Sequence, residues 1–152
     1  MNISHAELQK ILEDHLISMS QYRKNYDSYI YSRYTLGQIQ PDFETQNGHK
    51  FIWVDLPGED PDDYAWLKEE IKINLASSND LAIAIKRTPA VITGYKKIGL
   101  IEPIYFKEKK SLYWLPEVVP RIGMYFQTFM TKAERAEYLK SLKEDHERIV
   151  EV

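Results

Sequence analysis

The sequence predicts an α+β fold: a long N-terminal amphipathic helix, a mostly antiparallel sheet of four or five strands, a middle helix and a C-terminal helix. Three observations carry that expectation. Residues 4–34 contain neither Pro nor Gly and repeat apolar side chains at helical spacing. Residues 38–56 and 100–119 hold short aromatic and β-branched runs around turn signals. Two further stretches, beginning at Asp60 and Thr131, open on good helix caps. A chain of 152 residues is expected to form one domain, 1–152, with helix 5–34 long enough to project from it.

The helix is specified from its start. Ser4 can cap it, Glu7 can complete a capping box, and Ile3 with Leu8 can form a hydrophobic staple. Leu8, Ile11, Leu12, Leu16, Met19, Tyr22, Tyr26, Tyr29 and Ile30 then share one stripe about 140° wide. Gly37 is the natural terminator. A helix of about thirty residues spans about 45 Å, whereas a compact body of this size is only about 38 Å across. Burying a large apolar side chain contributes about 1.5–3 kcal/mol, so an exposed overhang is costly. Either the helix breaks near residues 18–20, or its Tyr-rich end (Tyr22, Tyr26, Tyr29, Tyr31, Tyr34) packs on another chain.

Segments 38–46 and 49–56 flank Asn47-Gly48, a hairpin turn signal. Pro41 confines the first arm to a sheet edge. Asp60 caps the middle helix, Pro61 suits its first position, and Asp62 and Asp63 match the positive end of its dipole. Tyr64, Leu67, Ile71 and Leu75 form one apolar face of that helix, over 61–77. Trp66 and Ile73 form a second face, for another layer or a partner. Ser77-Ser78-Asn79-Asp80 reads as a turn into a continuous apolar strand over 81–87, either parallel through a crossover or antiparallel beside the hairpin. Strands are expected at 100–107 and 111–119 around Glu108-Lys109-Lys110, while 121–129 fit either state. Thr131 and Glu134 form a capping box for the closing helix. Its seam is Arg135, Leu139, Leu142, His146 and Ile149. No internal repeat, low-complexity tract or linker is evident.

Charge is segregated behind a net value of −3. Residues 42–80 hold ten acids against three bases; residues 81–121 hold eight bases against three acids. Such patches steer either a second copy or a polyanion. The absence of cysteine excludes disulfides, thiol catalysis and thiolate metal sites. The longest aliphatic run, 81–85, is far short of a membrane span, and the N-terminus lacks the pattern of a secretion signal. The expectation is cytoplasmic residence, in a host cytoplasm or a virion if the product is viral, with no membrane partner.

No chemistry-bearing motif emerges. Asp55, Glu59, Asp60, Asp62 and Asp63 could offer oxygen ligands to a divalent ion, but capping and dipole matching account for three of them and the EF-hand spacing is absent. Asp42 with Glu70-Ile71-Lys72 has the look of a restriction-type nuclease pattern, yet its second half falls mid-helix rather than on a strand. His5, His15, His49 and His146 lack metal-ligand spacing, and no nucleophile elbow, phosphate loop or dinucleotide fingerprint occurs. No enzymatic activity, metal or cofactor is therefore expected.

The leading expectation is a non-enzymatic assembly or interaction protein, such as a virion connector-type structural subunit. It would associate with itself or with a larger protein through the long helix, using Tyr22, Tyr26, Tyr29, Ile30 and Tyr34, with Trp66 and Ile73. The alternative is a nucleic-acid-binding accessory protein using the basic aromatic block 95–121. There Lys96, Lys97, Lys107, Lys109, Lys110, Trp114 and Arg121 mix charge with stacking rings, although the acidic net charge disfavours avid binding. A third reading is a small acidic inhibitor that mimics nucleic acid along residues 55–70.

Overall fold

Ser4 caps the first helix as expected, its Oγ accepting the Glu7 N–H at 3.1 Å, but that helix, α1 (His5–His15), stops early. The chain then straightens into β2 (Leu16–Ser18) and restarts as α2 (Met19–Asn25), with Ser18 Oγ accepting the Gln21 N–H at 3.2 Å. After residues 26–29 comes α3 (Ile30–Thr35). In this computed structural model, which describes residues 2–145 and 148–151, the predicted helix 5–34 is thus three helices and a strand. The N-terminus itself begins with a strand, β1 (Asn2–Ser4). The physical reason is tertiary pairing. Leu16, Ile17 and Ser18 are all buried, and they form a ladder with Trp53, Ile52 and Phe51 of β4 (Lys50–Trp53). Pairing with a distant strand outweighs the helical periodicity, and Tyr26 and Tyr29 of the expected stripe are left exposed between α2 and α3.

The rest of the chain follows as β3 (Phe43–Glu44) before β4, then a 3-10 turn (Pro61–Tyr64), α4 (Ala65–Asn74) and β5 (Leu75–Ser77). Next come α5 (Ser78–Ala84), α6 (Pro89–Lys97), β6 (Tyr105–Lys107) and β7 (Lys110–Trp114). The chain ends in α7 (Leu115–Tyr125), α8 (Lys132–Glu144) and β8 (Ile149–Glu151). It is α+β, but the single sheet of four or five strands is replaced. Among the described residues there are three small antiparallel sheets, ordered β1-β8, β2-β4-β3 and β5-β7-β6.

Three other expectations are corrected. The predicted strand 81–87 is mostly helix α5, because Ser77 and Asp80 form a reciprocal capping box at 3.1 Å in each direction. Leu81 and Ala82 are buried while Ile83 is 56% exposed, as a helix requires. The predicted strand 111–119 ends at Trp114, where Pro116 in the first turn launches α7. The closing helix keeps its Thr131–Glu134 box, and Leu139 and Leu142 pack inward, but Ile149 lies on β8. His146 lies outside the described residues.

The expectation of no internal repeat also falls. The order helix–strand–helix–helix–strand–strand occurs twice, as α1-β2-α2-α3-β3-β4 and as α4-β5-α5-α6-β6-β7. The two sheets share strand order and register: Leu16 faces Trp53 and Ser18 faces Phe51, as Leu75 faces Trp114 and Ser77 faces Leu112. Single hydrogen bonds recur. Gln38 N–H donates to Arg33 O at 2.8 Å, and Leu100 N–H to Tyr95 O at 3.0 Å. Asp42 N–H donates to Phe51 O at 3.0 Å, and Ile104 N–H to Leu112 O at 2.8 Å. Gly37 and Gly99, at φ +75° and +80°, take the left-handed conformation after α3 and α6. The primary structure carries this as Gly-x-Ile-x-Pro-x-aromatic, beginning at Gly37 and again at Gly99.

The repeats are interlocked. Leu8, Leu12, Leu16 and Trp53 of the first share one buried cluster with Leu67, Ile71, Leu75 and Trp114 of the second. Helix α1 lies on β6 of the other repeat, where Phe106 N–H donates to Glu13 Oε2 at 2.9 Å and the buried Tyr105 hydroxyl donates to Leu16 O at 2.7 Å. Helices α7 and α8 close a second cluster around Leu81, Ile92 and Tyr113.

Replacing Ser77 with Ala removes the cap of α5 and should lower stability by about 1 kcal/mol in urea unfolding. A strand over 81–87 would be indifferent to that change.

Candidate nucleic-acid interface

Helices α5 and α6, joined by residues 85–88, form a helix-turn-helix, and β6–β7 follow as a hairpin. Leu81 and Ala82 of α5 and Ile92 of α6 are buried against Leu100, Ile101 and Tyr113, which fixes the crossing of the two helices. Lys86 in the turn adopts φ +58°, and Pro89 occupies the first turn of α6.

With Ile92 turned inward, α6 exposes Ala90, Thr93, Gly94 and Lys97, spaced by three or four residues along one stripe. The middle of this stripe is sterically bare, and a Cβ added at Gly94 would meet nothing within 4 Å. The hairpin turn places Glu108 and Lys109 at φ +53° and +64°, a two-residue left-handed turn of the kind that suits strand twist. Lys96 Nζ stands over the Phe106 ring at 5.4 Å, linking α6 to its own hairpin.

Charge follows the same geometry. Residues 78–110 carry Lys86, Arg87, Lys96, Lys97, Lys107, Lys109 and Lys110 against Asp80, Glu102 and Glu108. Those acids are already engaged: Asp80 in its cap, Glu102 with Arg148 at 2.6 Å, and Glu108 with the Ser18 hydroxyl at 3.0 Å. Among the described residues Lys86, Arg87, Lys97 and Lys109 make no ion pair and point to solvent.

The first repeat carries the same device in aromatic form. The residues that flank α3, Tyr29 and Leu36, are 69% and 71% exposed, with Ser32 and Arg33 exposed on the helix between them. Arg33 pairs with Asp27 at 2.9 Å, Lys50 Nζ stands 5.1 Å over Tyr34, and Arg23 stands 5.6 Å from Tyr31.

The sequence-predicted sets are divided by this arrangement. Lys96 and Lys97 are exposed on α6, and Lys109 is exposed at the hairpin turn. Lys107 donates to Glu13 O at 2.9 Å, and Lys110 lies 5.6 Å over Phe51. Arg121 is half-buried on α7, and Trp114 is fully buried. Tyr105 and Tyr113 are also in the core, so the rings that suggested a stacking platform are structural. Of the association set, Tyr26, Tyr29 and Ile73 are exposed, Tyr22 and Tyr34 are half-buried, and Trp66 bonds Asp63 O at 3.1 Å. Ile30 is in the core. What sequence reasoning missed is Ala90, Thr93 and Gly94; the signal was the repeated Gly-x-Ile-x-Pro-x-aromatic motif, which aligns α6 with α3.

His5, His15, Glu59 and Asp60 have structural partners. His15 stacks on Trp53 at 4.8 Å, its Nδ1–H donates to Ile11 O at 2.7 Å, and its Nε2 meets Glu59 at 2.8 Å. His5 Nδ1 meets the buried Glu117 at 2.7 Å beside a cavity of about 450 Å3, but the neighbouring Ser4 hydroxyl is engaged as a helix cap. Asp60 caps the 3-10 turn, accepting from Asp62 N–H at 3.0 Å. Among the described residues no group of three His, Asp or Glu could hold a metal ion, and no helix is long and apolar enough to cross a membrane. Compared with family models, curated proteins and solved structures, the chain matches none.

Burial alone pushes the Glu59 carboxyl up, but the Leu56 N–H and the His15 ring outweigh it and hold it below its ordinary range. Folding therefore favours ionised Glu59. That contribution is complete above the unfolded carboxylate value and is lost as pH falls through the lower folded one. Replacing Glu59 with Gln should flatten the loss of Tm on acidification below pH 4.5.

Proposed function

We propose that the chain binds duplex DNA through α5, α6 and the β6–β7 hairpin, with α6 in the major groove. The observation that carries this is the outer face of α6: small side chains and Thr93 along its middle, with unpaired bases at both ends. A B-form major groove about 12 Å wide admits an α-helix, and the second helix of a helix-turn-helix is the one that enters it. Bare positions at Ala90 and Gly94 let the helix backbone approach base edges, and the Thr93 methyl suits thymine methyls while its hydroxyl donates to Pro89 O at 3.4 Å. Lys86 and Arg87 before α6, and Lys96 and Lys97 at its end, suit the flanking phosphates. Lys109 at the hairpin turn suits the adjacent backbone. A-form RNA is a poor fit, because its major groove is too deep and narrow for side chains to read. The net charge of −3 weakens sequence-independent attraction, so recognition rests on the fit of α6.

Duplexes selected from a random pool by the full chain provide the probe. Replacing Lys97 with Glu should weaken binding about tenfold or more, and replacing Lys86 or Lys109 with Ala should each reduce the salt slope by about 1. Unchanged affinity and slope in all three variants would overturn the reading.

We also propose, as a second reading, association through the Tyr-rich surface of α2 and α3. The overhanging helix no longer supports it; the exposure of Tyr26, Tyr29 and Leu36 does. It predicts a solution mass above the 18.0 kDa of one chain, reduced by Tyr29→Asp. A single-chain mass at working concentration would remove it.

A further inference from the structure

We infer that the two helix-turn-helix units read the two halves of one inverted-repeat duplex site, so that a single chain acts as its own two-fold dimer. This inference rests on the duplex-binding reading above. Its starting point is the pattern of contacts between the repeats, which is reciprocal. Helix α1 of the first lies on β6 of the second, and α4 of the second lies against β3 of the first. At the start of α5, Asp80 Oδ1 accepts the N–H of Gln46 from the first hairpin at 3.0 Å. At the start of α2, the Ser18 hydroxyl donates to Glu108 of the second hairpin at 3.0 Å. Element i of one unit meets element j of the other, and j meets i. That is the signature of an isologous, two-fold contact; a head-to-tail stack would satisfy only one member of each pair. The equivalent pairs Leu8 with Leu67 and Trp53 with Trp114 sit in the same buried cluster, as an axis through the shared core requires.

A two-fold relation sets the polarity of what is read. Two recognition helices related by rotation meet the two strands of a duplex in opposite senses, so their half-sites are inverted rather than direct. Grooves of about 210 Å3 and about 130 Å3 run between the hairpins and the starts of α5 and α2. They share His49 and Lys110, and Tyr31 of α3 lines the second. Size then limits spacing. A body about 38 Å across can reach major grooves no more than one turn apart on one face, about 10 base pairs.

The halves are not equivalent. Helix α6 is flanked by four lysines and arginines, whereas α3 offers only Arg33, already paired with Asp27 at 2.9 Å, between Tyr29 and Leu36. The site is therefore an imperfect inverted repeat, with most of the electrostatic affinity coming from the half under α6.

The experiment uses the full chain and the duplexes it selects from a random pool, with footprinting and anisotropy titration at fixed salt. The expected footprint has two protected patches within about one helical turn. Replacing Arg33 with Glu should weaken binding about fivefold or more on the intact duplex, abolish protection of one patch only, and have no effect once that half is scrambled. Reversing that half into a direct repeat should cost as much as scrambling it. Arg33→Gln, which keeps a polar side chain at this exposed position, should give the same pattern if loss of folding is not the cause. A selected duplex with one protected patch, bound equally by wild type and both Arg33 variants, would overturn the inference while leaving duplex binding intact. Failure to select any duplex would instead remove the duplex-binding reading, and this inference with it.

Discussion

The core shared between the two repeats is the constraint on which the structure depends. Each repeat is about fifty residues long, a length at which a chain buries too little of its surface to be comfortably stable alone. Here α1 with β2 brings Leu8, Leu12 and Leu16, and α4 with β5 brings Leu67, Ile71 and Leu75, into one core against the other repeat's hairpin, with Trp53 and Trp114 in the same cluster. At about 1.5–3 kcal/mol for each large apolar side chain fully buried, these few residues supply stabilisation that neither unit would have in isolation. The buried Tyr105 hydroxyl bonded to Leu16 O ties the two halves at the same place.

This interlock has a mechanical consequence for the surface. In an isolated helix-turn-helix with a hairpin, the hairpin tip is free to move. Here each hairpin is held on the other repeat, through Gln46 to Asp80 and through Ser18 to Glu108. The distance and angle between α3 and α6 are therefore set by the core rather than by a linker.

Charge segregation has a structural origin too. Much of the acidic block 42–80 is engaged in local work: Asp42 accepts the Trp53 N–H at 2.7 Å, Glu59 holds His15, Asp60 caps the 3-10 turn and Asp80 accepts the Ser77 N–H in the capping box of α5. The basic block has fewer such duties, and Lys86, Arg87, Lys97 and Lys109 remain in solvent. A net charge of −3 thus conceals a basic outer face on the second repeat.

Local chemistry was legible wherever a residue acts on its own neighbours. The caps at Ser4 and at Thr131 with Glu134, the turn at Asn47-Gly48 and the hairpin turn at Glu108-Lys109 all follow from the amino-acid sequence, as does the basic block that the second helix-turn-helix carries. The sequence also held the repeated Gly-x-Ile-x-Pro-x-aromatic motif, but α6 is three residues longer than α3, and that difference with few identities elsewhere concealed the repeat. The break of α1 at Leu16 and the burial of Tyr105, Tyr113 and Trp114 were decided only by tertiary structure. A three-residue strand such as β2 is stable only when β4 lies beside it, and periodicity along the chain carries no information about a partner more than thirty residues away.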